Sequence, residues 1–272
     1  MGLGCNAAGV TGCRIIDSPR ERKLAMVTNC FIPCNGRFGA LILLLTAFLV
    51  PGGGSAGAAL GLLGLLVLGV GMTLAVSRVL SRTVLKGLPS AFTLELPPYR
   101  RPRVGQVLVR SVLDRTCKVL VRAVTVAAPA GLLLWALDTV TVGDQSLLWH
   151  LAAALDPLGR ALGMSGVLLA AFILGFPANE IVLPIAVLAV TGTFQLDAGG
   201  AVMAASLGAM GFDTEMALCT AVFFLFHWPC ATTCLTIRKE TGSVKWMLFA
   251  MALPTLVGVA LCGAVHLVMG VL

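Results

Sequence analysis

Charge is scarce in this 272-residue sequence: Asp, Glu, Lys and Arg make up 11% of it, less than half the roughly 25% of a soluble domain. With 58% hydrophobic residues and a mean hydropathy of +0.98, the scarcity excludes a soluble globular domain and specifies an all-α polytopic membrane protein. Acidic residues are scarcer still, 12 against 19 basic, for a net charge of +7. The basic residues lie between apolar runs, where they set topology, so no nucleic-acid partner is expected. No Lys follows a Gly anywhere, which removes the Gly-x-x-x-x-Gly-Lys-Ser/Thr loop and with it a GTP site. No His-Glu-x-x-His pair occurs, which argues against a zinc-dependent membrane enzyme. The opening Met1-Gly2-Leu3-Gly4 carries no basic n-region, so no signal peptide is expected. Nine cysteines sit mostly within or beside apolar segments, which reads as free thiols or metal ligands rather than disulfides.

What is present centres on Gly175-Phe176-Pro177-Ala178-Asn179-Glu180, between the apolar runs Val167 to Leu174 and Ile181 to Val190. Of the acidic residues, only Glu180 lies inside a long apolar segment. A carboxylate in lipid costs several kcal/mol, so it is kept where it faces protein, water or an ion. Pro177 breaks the helix just before it. The bland reading is a proline kink with a paired Glu. The arms Val167 to Phe176 and Ile181 to Val190 each have ten residues, about 15 Å of helix or half the hydrocarbon thickness. Both flanks are poor in Lys and Arg, so this segment reads as a re-entrant hairpin with its tip near the midplane.

The rest of the chain falls in order around it. Gly4-Cys5-Asn6 reads as the tip of another hairpin, and Asp17 to Lys23 as a charged cytoplasmic turn. Met26 to Val50 is a span interrupted at Pro33-Cys34. Pro51 to Gly57 reads as an outside loop and Leu60 to Val76 as a return span, whose glycines suit either close contact or a slim helix. Ser77 to Arg122 holds ten basic residues against Glu95 and Asp114, a cytoplasmic connector with an interfacial helix over Gln106 to Lys118. Val119 to Leu137 crosses outward, and Asp138 to Gly163 stays outside. Met216 to Thr236 runs inward, interrupted at His227-Trp228-Pro229-Cys230. Arg238 to Ser243 is a cytoplasmic turn, and Val244 to Leu272 is the last crossing.

Two halves line up, each a hairpin tip followed by a helix broken at Pro-Cys, and their opposite orientation makes an inverted repeat of re-entrant hairpin plus broken helix. Residues 1–76 form the first repeat, 77–122 the connector and 123–272 the second repeat with the last helix. Inverted repeats with discontinuous helices are the plan of many secondary transporters. Cys5, Cys34 and Cys230 stand at three of the interruptions and Glu180 at the fourth, a donor set suited to a soft-to-borderline divalent metal. Cys30/Cys34 and Cys230/Cys234 stand four apart, on one face of a regular helix. Asn6 and Asn179 can supply carbonyl oxygens or tie down backbone. Cys13, Cys117, Cys219 and Cys262 read as small buried hydrophobes, His150 and His266 as structural, and His227 as a weak candidate donor.

At these residues the chain resembles a known family. Gly4-Cys5-Asn6, Ser18-Pro19-Arg20-Glu21-Arg22, Ile32-Pro33-Cys34, Glu95-Leu96-Pro97-Pro98-Tyr99-Arg100, the Gly175-to-Glu180 stretch, Trp228-Pro229-Cys230 and Arg238-Lys239-Glu240-Thr241-Gly242-Ser243 occur in this order in the membrane portion of ferrous iron transport protein B. The resemblance implies a bacterial inner-membrane importer, with Fe²⁺ as transported ion, two Gate regions, pore thiols at Cys5, Cys34 and Cys230, and Glu180 as the membrane acid. Full-length members begin with a GTP-binding domain, so the chain reads as a fragment, a truncated product or part of a split system. The partners implied are the lipid bilayer, a separate GTPase or membrane segment, or a small accessory Feo-type protein, with a homo-oligomer left open. A nucleoside or organic-solute carrier on the same scaffold, and a membrane thiol sensor or interaction subunit, stand as the competing readings.

Overall fold

The computed structural model describes residues 2–49, 54–87, 103–110, 112–113, 117–143, 145–192, 205–208 and 211–269. The Glu95-to-Arg100 motif, and most of the flank between Thr191 and Glu215, lie outside them. The described chain is helical throughout except for one two-residue antiparallel ladder. Helix α1 is Asn6–Gly12, α2 Pro19–Thr28, α3 Asn35–Leu44, α4 Gly54–Arg82, α5 Val104–Arg110 and α6 Lys118–Thr139. Strands β1 (Thr141–Val142) and β2 (Gln145–Ser146) precede α7 Leu147–Ala161, α8 Gly166–Leu174 and α9 Val182–Thr191. Helices α10 Thr214–Phe226, α11 Ala231–Thr241 and α12 Val244–Met269 complete the chain.

Among the described residues four stretches are long and apolar enough to cross a membrane: Pro19–Leu49, Ala56–Arg82, Thr214–Thr241 and Val244–Met269. Their enclosure differs sharply. Protein buries 72% of the apolar window of Thr214–Thr241 against 11% of that of Ala56–Arg82, so the broken helix α10–α11 is the element the others surround. Phe172 of α8 packs on it, with ring centroids 4.8 Å from Phe223, 4.7 Å from Phe224 and 5.0 Å from His227. Phe31 reaches Phe226 from the other side at 6.0 Å. Aromatic pairs at such separations add to the area they bury.

Several connections differ from the sequence reading. The charged stretch Asp17 to Lys23 is not a turn. Ser18 caps the backbone N–H of Glu21, Pro19 occupies the first helical position, and α2 begins there, the Ser-x-x-Glu start signal of a helix. Likewise Arg238 to Thr241 is the last turn of α11, stopped by Gly242 at φ +64°, with its cations favourably placed at the helix C-terminus. Helix α4 begins at Gly54, inside the expected loop, and its ladder continues past Val76 to Arg82. Expected domain boundaries at 76/77 and 122/123 therefore fall within α4 and α6. Of the interfacial helix expected over Gln106 to Lys118, α5 covers the first part, and several of the following residues lie outside those described. The glycines of α4 divide by face. Gly61 and Gly69 meet the Leu45 side chain and the Phe31 carbonyl, while Gly64 and Gly71 face open space.

The largest difference lies at Asp138 to Gly163. This stretch, expected on the outer side with no secondary structure assigned to it, holds a short antiparallel ladder leading into the amphipathic α7, which buries Leu148, Ala152 and Gly159. It then bends by 109° into α8. The bend is held by Asp156, whose Oδ1 accepts from the Gly166 N–H at 3.0 Å, and by Ser165 capping Leu168.

Candidate functional site: two capped helix breaks

The site is built from two hairpin tips and two breaks, and the breaks are closed in the same way. Pro33 and Pro229 cannot donate to the preceding turn, and each helix restarts after a cysteine in extended conformation, Cys34 (φ −87°, ψ 168°) and Cys230 (φ −60°, ψ 159°). The first N–H of each restarted helix has no intrahelical acceptor. A hairpin turn supplies it: Asn35 donates to the Gly4 carbonyl at 3.1 Å, and Ala231 to the Phe176 carbonyl at 2.9 Å.

The restarts after the two tips also correspond, although the capping carbonyls, Gly4 and Phe176, are one residue out of register. Cys5 (φ −150°, ψ 123°) and Ala178 (φ −150°, ψ 120°) are the extended residues before each restart, so Asn6 corresponds to Asn179 and Ala7 to Glu180. That shifts the expected pairing by one residue. Cysteine occupies three of the four cap positions and alanine the fourth, with Glu180 two residues beyond it. Cys5, Cys34 and Cys230 thus each stand at the N-cap of a helix, and none spends its sulfur on capping.

Both tip asparagines are buried and engaged. The Asn6 amide, turned as its surroundings require, donates to the carbonyls of Ile32 (3.3 Å) and Gly2 (3.1 Å). Asn179 lies 3.3 Å from Nε2 of the buried His227. Nδ1 of that ring faces the Phe223 and Phe224 carbonyls, both at 3.0 Å. Carbonyls only accept, so Nδ1 carries a proton, while Nε2 on the other side of the ring faces Asn179 Oδ1.

Glu180 crosses between the halves. Its carboxylate lies over Gly36, where an added Cβ would stand 3.6 Å from Oε1, two residues along from Cys34. Glu180 is exposed and makes no hydrogen bond or ion pair among the described residues. Cys34 and Cys230 are half-buried and Cys5 is exposed. The Cys230 sulfur lies 3.3 Å from Thr233 Oγ1. Among the described residues no three His, Cys, Asp or Glu side chains converge closely enough to hold a metal ion. The donors therefore form a string along the tips and breaks instead of a closed cage, because the three thiols start three different helices and Glu180 follows the fourth cap. Cys30 lies above its break and Cys34 below it, so they are not helical neighbours, whereas Cys234 follows Cys230 by one regular turn.

Sequence reading missed the residue that joins the halves most directly. Arg37 of α3 is fully buried. Its Nη1 donates to the Leu225 carbonyl at 3.0 Å and its Nη2 to those of His227 and Trp228, both at 3.1 Å. Cys30, Cys34 and Cys230 lie within electrostatic range of it. A single Arg inside the apolar run Met26 to Val50 was the available signal, since an intramembrane cation demands a partner. At the other end of the molecule, Arg14 grips Glu240 through two bonds of 2.7 and 2.5 Å, tying the first hairpin to α11. Cys219 and Cys262, both buried, each direct Sγ at the other's carbonyl.

Comparison with known proteins places this geometry. A family model described as ferrous iron transport protein B C terminus matches residues 62–114, and one described as Gate, nucleoside recognition, matches residues 120–244. An Fe(2+) transporter of Staphylococcus aureus (strain COL) is 29% identical over 265 residues, covering 93% of this chain and 37% of its own length. One from Synechocystis is 30% identical, covering 93% and 40%. A fusion of Fe(2+) transport protein A with the transporter, from Porphyromonas gingivalis, is 24% identical, covering 92% and 35%. The chain thus spans less than half the length of these relatives. No solved structure matches. The chain belongs to the ferrous iron transport protein B family, within which it corresponds to the C-terminal membrane portion.

Proposed function

We propose that this chain is the membrane permease core of a ferrous-iron uptake system in the inner membrane of a bacterium, with Fe²⁺ as its cargo. The observation that carries the reading is that Cys5, Cys34 and Cys230 stand at the N-termini of α1, α3 and α11, while Glu180 reaches across to Gly36 in the first turn of α3. Thiolates and a carboxylate together suit a borderline dication. A string of donors, each binding weakly, allows entry and release, as conduction requires. Fe²⁺ would exchange its water for sulfur at Cys34 and Cys230 and for oxygen at Glu180, passing as the two hairpin-plus-helix halves rearrange. Asn6 and Asn179, whose amides serve protein groups here, hold the tips in place.

In the same reading, residues 1–76 and 123–272 are inverted Gate-type repeats about the connector 77–122. No phosphate-binding loop occurs in the 272 residues, so the part assigned to this chain is the pathway and not a nucleotide step. The fused relative from Porphyromonas gingivalis supports a small accessory Feo-type protein as partner.

Initial rates of iron uptake into proteoliposomes test the reading. Cys34→Ser and Glu180→Gln should each slow uptake by about tenfold or more, and unchanged flux in both would overturn it. A second reading, a nucleoside carrier, draws on the words attached to the Gate match. It expects nucleoside flux without iron dependence in the same vesicles.

A further inference from the structure

Three carbonyl oxygens gather at the C-terminal end of α10, and each is free for a definite reason. The Leu225 carbonyl would accept from residue 229, which is proline and has no N–H. His227 leaves the helix at φ −70°, ψ 173°, so its carbonyl and that of Trp228 have no intrahelical donor. Unwound carbonyls and half-helix C-termini of this kind are where discontinuous membrane helices coordinate small cations. The negative end of the α10 dipole adds to the attraction.

Here the occupant is Arg37. Its two terminal nitrogens meet all three oxygens at 3.0 to 3.1 Å. The side chain is completely enclosed, and Nε is buried without an acceptor among the described residues. No carboxylate pairs with the guanidinium among the described residues. A buried cation without a counter-ion is costly unless dipoles replace its water, and these carbonyls do that. The arrangement is one-sided. By the match of Asn35 with Ala231, Thr233 stands where Arg37 would be in the second half, and in the first half the Ile32 carbonyl is met by the neutral Asn6 amide.

We propose that the break between α10 and α11 is a small-cation site filled by the chain's own guanidinium, a tethered cation where a mobile coupling ion would otherwise sit. The inference goes beyond the permease reading and does not depend on the cargo. It makes the intact chain indifferent to Na⁺ and K⁺ at this break, and it makes loss of the guanidinium a loss that a free cation can repair.

Thermal unfolding of the purified chain in detergent tests it, with Na⁺, K⁺, millimolar guanidinium and bulky choline compared at equal ionic strength. Wild type should melt alike in all four. Arg37→Ala should melt about 5 °C or more lower in choline and regain at least half of that in one or more of the small cations. Arg37→Lys, which keeps a tethered charge, should stay close to wild type and show no cation preference. An Arg37→Ala variant equally weakened in every salt, or a wild type that responds to Na⁺ as the variant does, would overturn the proposal. Should Arg37→Ala fail to fold in choline, the yield of folded variant prepared in each cation becomes the readout. Recovery in a small cation supports the tethered-cation site, and failure in all of them overturns it.

Discussion

Glu180 of the second hairpin lies against Gly36 of the first broken helix, its Oε1 3.6 Å from where a Cβ at residue 36 would be. That is ordinary van der Waals separation, so the contact accommodates a methyl group and little more. Gly36→Ala should leave iron uptake within about twofold of wild type, the range of substitutions that disturb no special feature. Gly36→Leu should displace the carboxylate and reduce the initial rate by about tenfold or more, since small misplacements of a working group are expensive. Uptake by Gly36→Leu at the wild-type rate would take Glu180 off the path.

Asn179 and His227 form a pair whose worth is separable by a mutant cycle. Asn179→Leu leaves Nε2 of a buried imidazole without its polar partner, at a cost of about 1–3 kcal/mol, whereas replacing both partners by apolar groups is milder. The double variant Asn179→Leu with His227→Phe should therefore melt higher than the sum of the single losses requires, with a coupling of about 1 kcal/mol. Additive losses would show that the two side chains do not interact.

Helix α8 leaves α7 so closely that a Cβ at Gly166 would stand 2.1 Å from the Ala152 carbonyl oxygen and 2.5 Å from the Asp156 nitrogen. Backbone cannot yield as a side chain can. Gly166→Ala should cost about 3 kcal/mol or more, through overpacking. Gly71→Ala, facing open space within a helix, should be neutral or stabilising by up to about 1 kcal/mol. Melting temperatures of the two variants, measured side by side, decide whether the bend is as tight as described.

Arg14 and Glu240 meet through both nitrogens and both oxygens, but the Arg14 side chain is 57% exposed. Solvent weakens such a pair to about 0.5–1 kcal/mol. Arg14→Glu should lower stability by about that amount, and adding Glu240→Arg should recover most of it. Without recovery in the exchanged pair, the contact contributes packing and not charge.

Proline and charge made the breaks legible in the sequence. Pro33, Pro177 and Pro229 remove backbone donors wherever they stand, and an isolated Glu180 in an apolar run needs a reason to be there. Hence both interruptions and the hairpin fall where the residues predict. The amphipathic α7 was not legible as such, because the scarcity of Lys and Arg after Asp138 was read as topology while the spacing of Leu148, Ala152 and Gly159 was not. Arg37 was hidden for a different reason. What it binds is backbone carbonyl, 188 to 191 residues away, and carbonyls leave no trace in side-chain identity. The equivalence of Cys5 with Ala178, instead of with Asn179, is a fact of φ and ψ alone.

Asn35 and Ala231 hang from the turns at Gly4 and Phe176, and this fixes where the molecule can flex. A lower half-helix suspended from a hairpin cannot swing without dragging the hairpin along, so each half is one stiff lever with its fulcrum elsewhere. The seam between the levers is crossed by Arg37, by the Arg14–Glu240 pair and by the contact of Phe31 with Phe226, so a hinge there has to loosen all three.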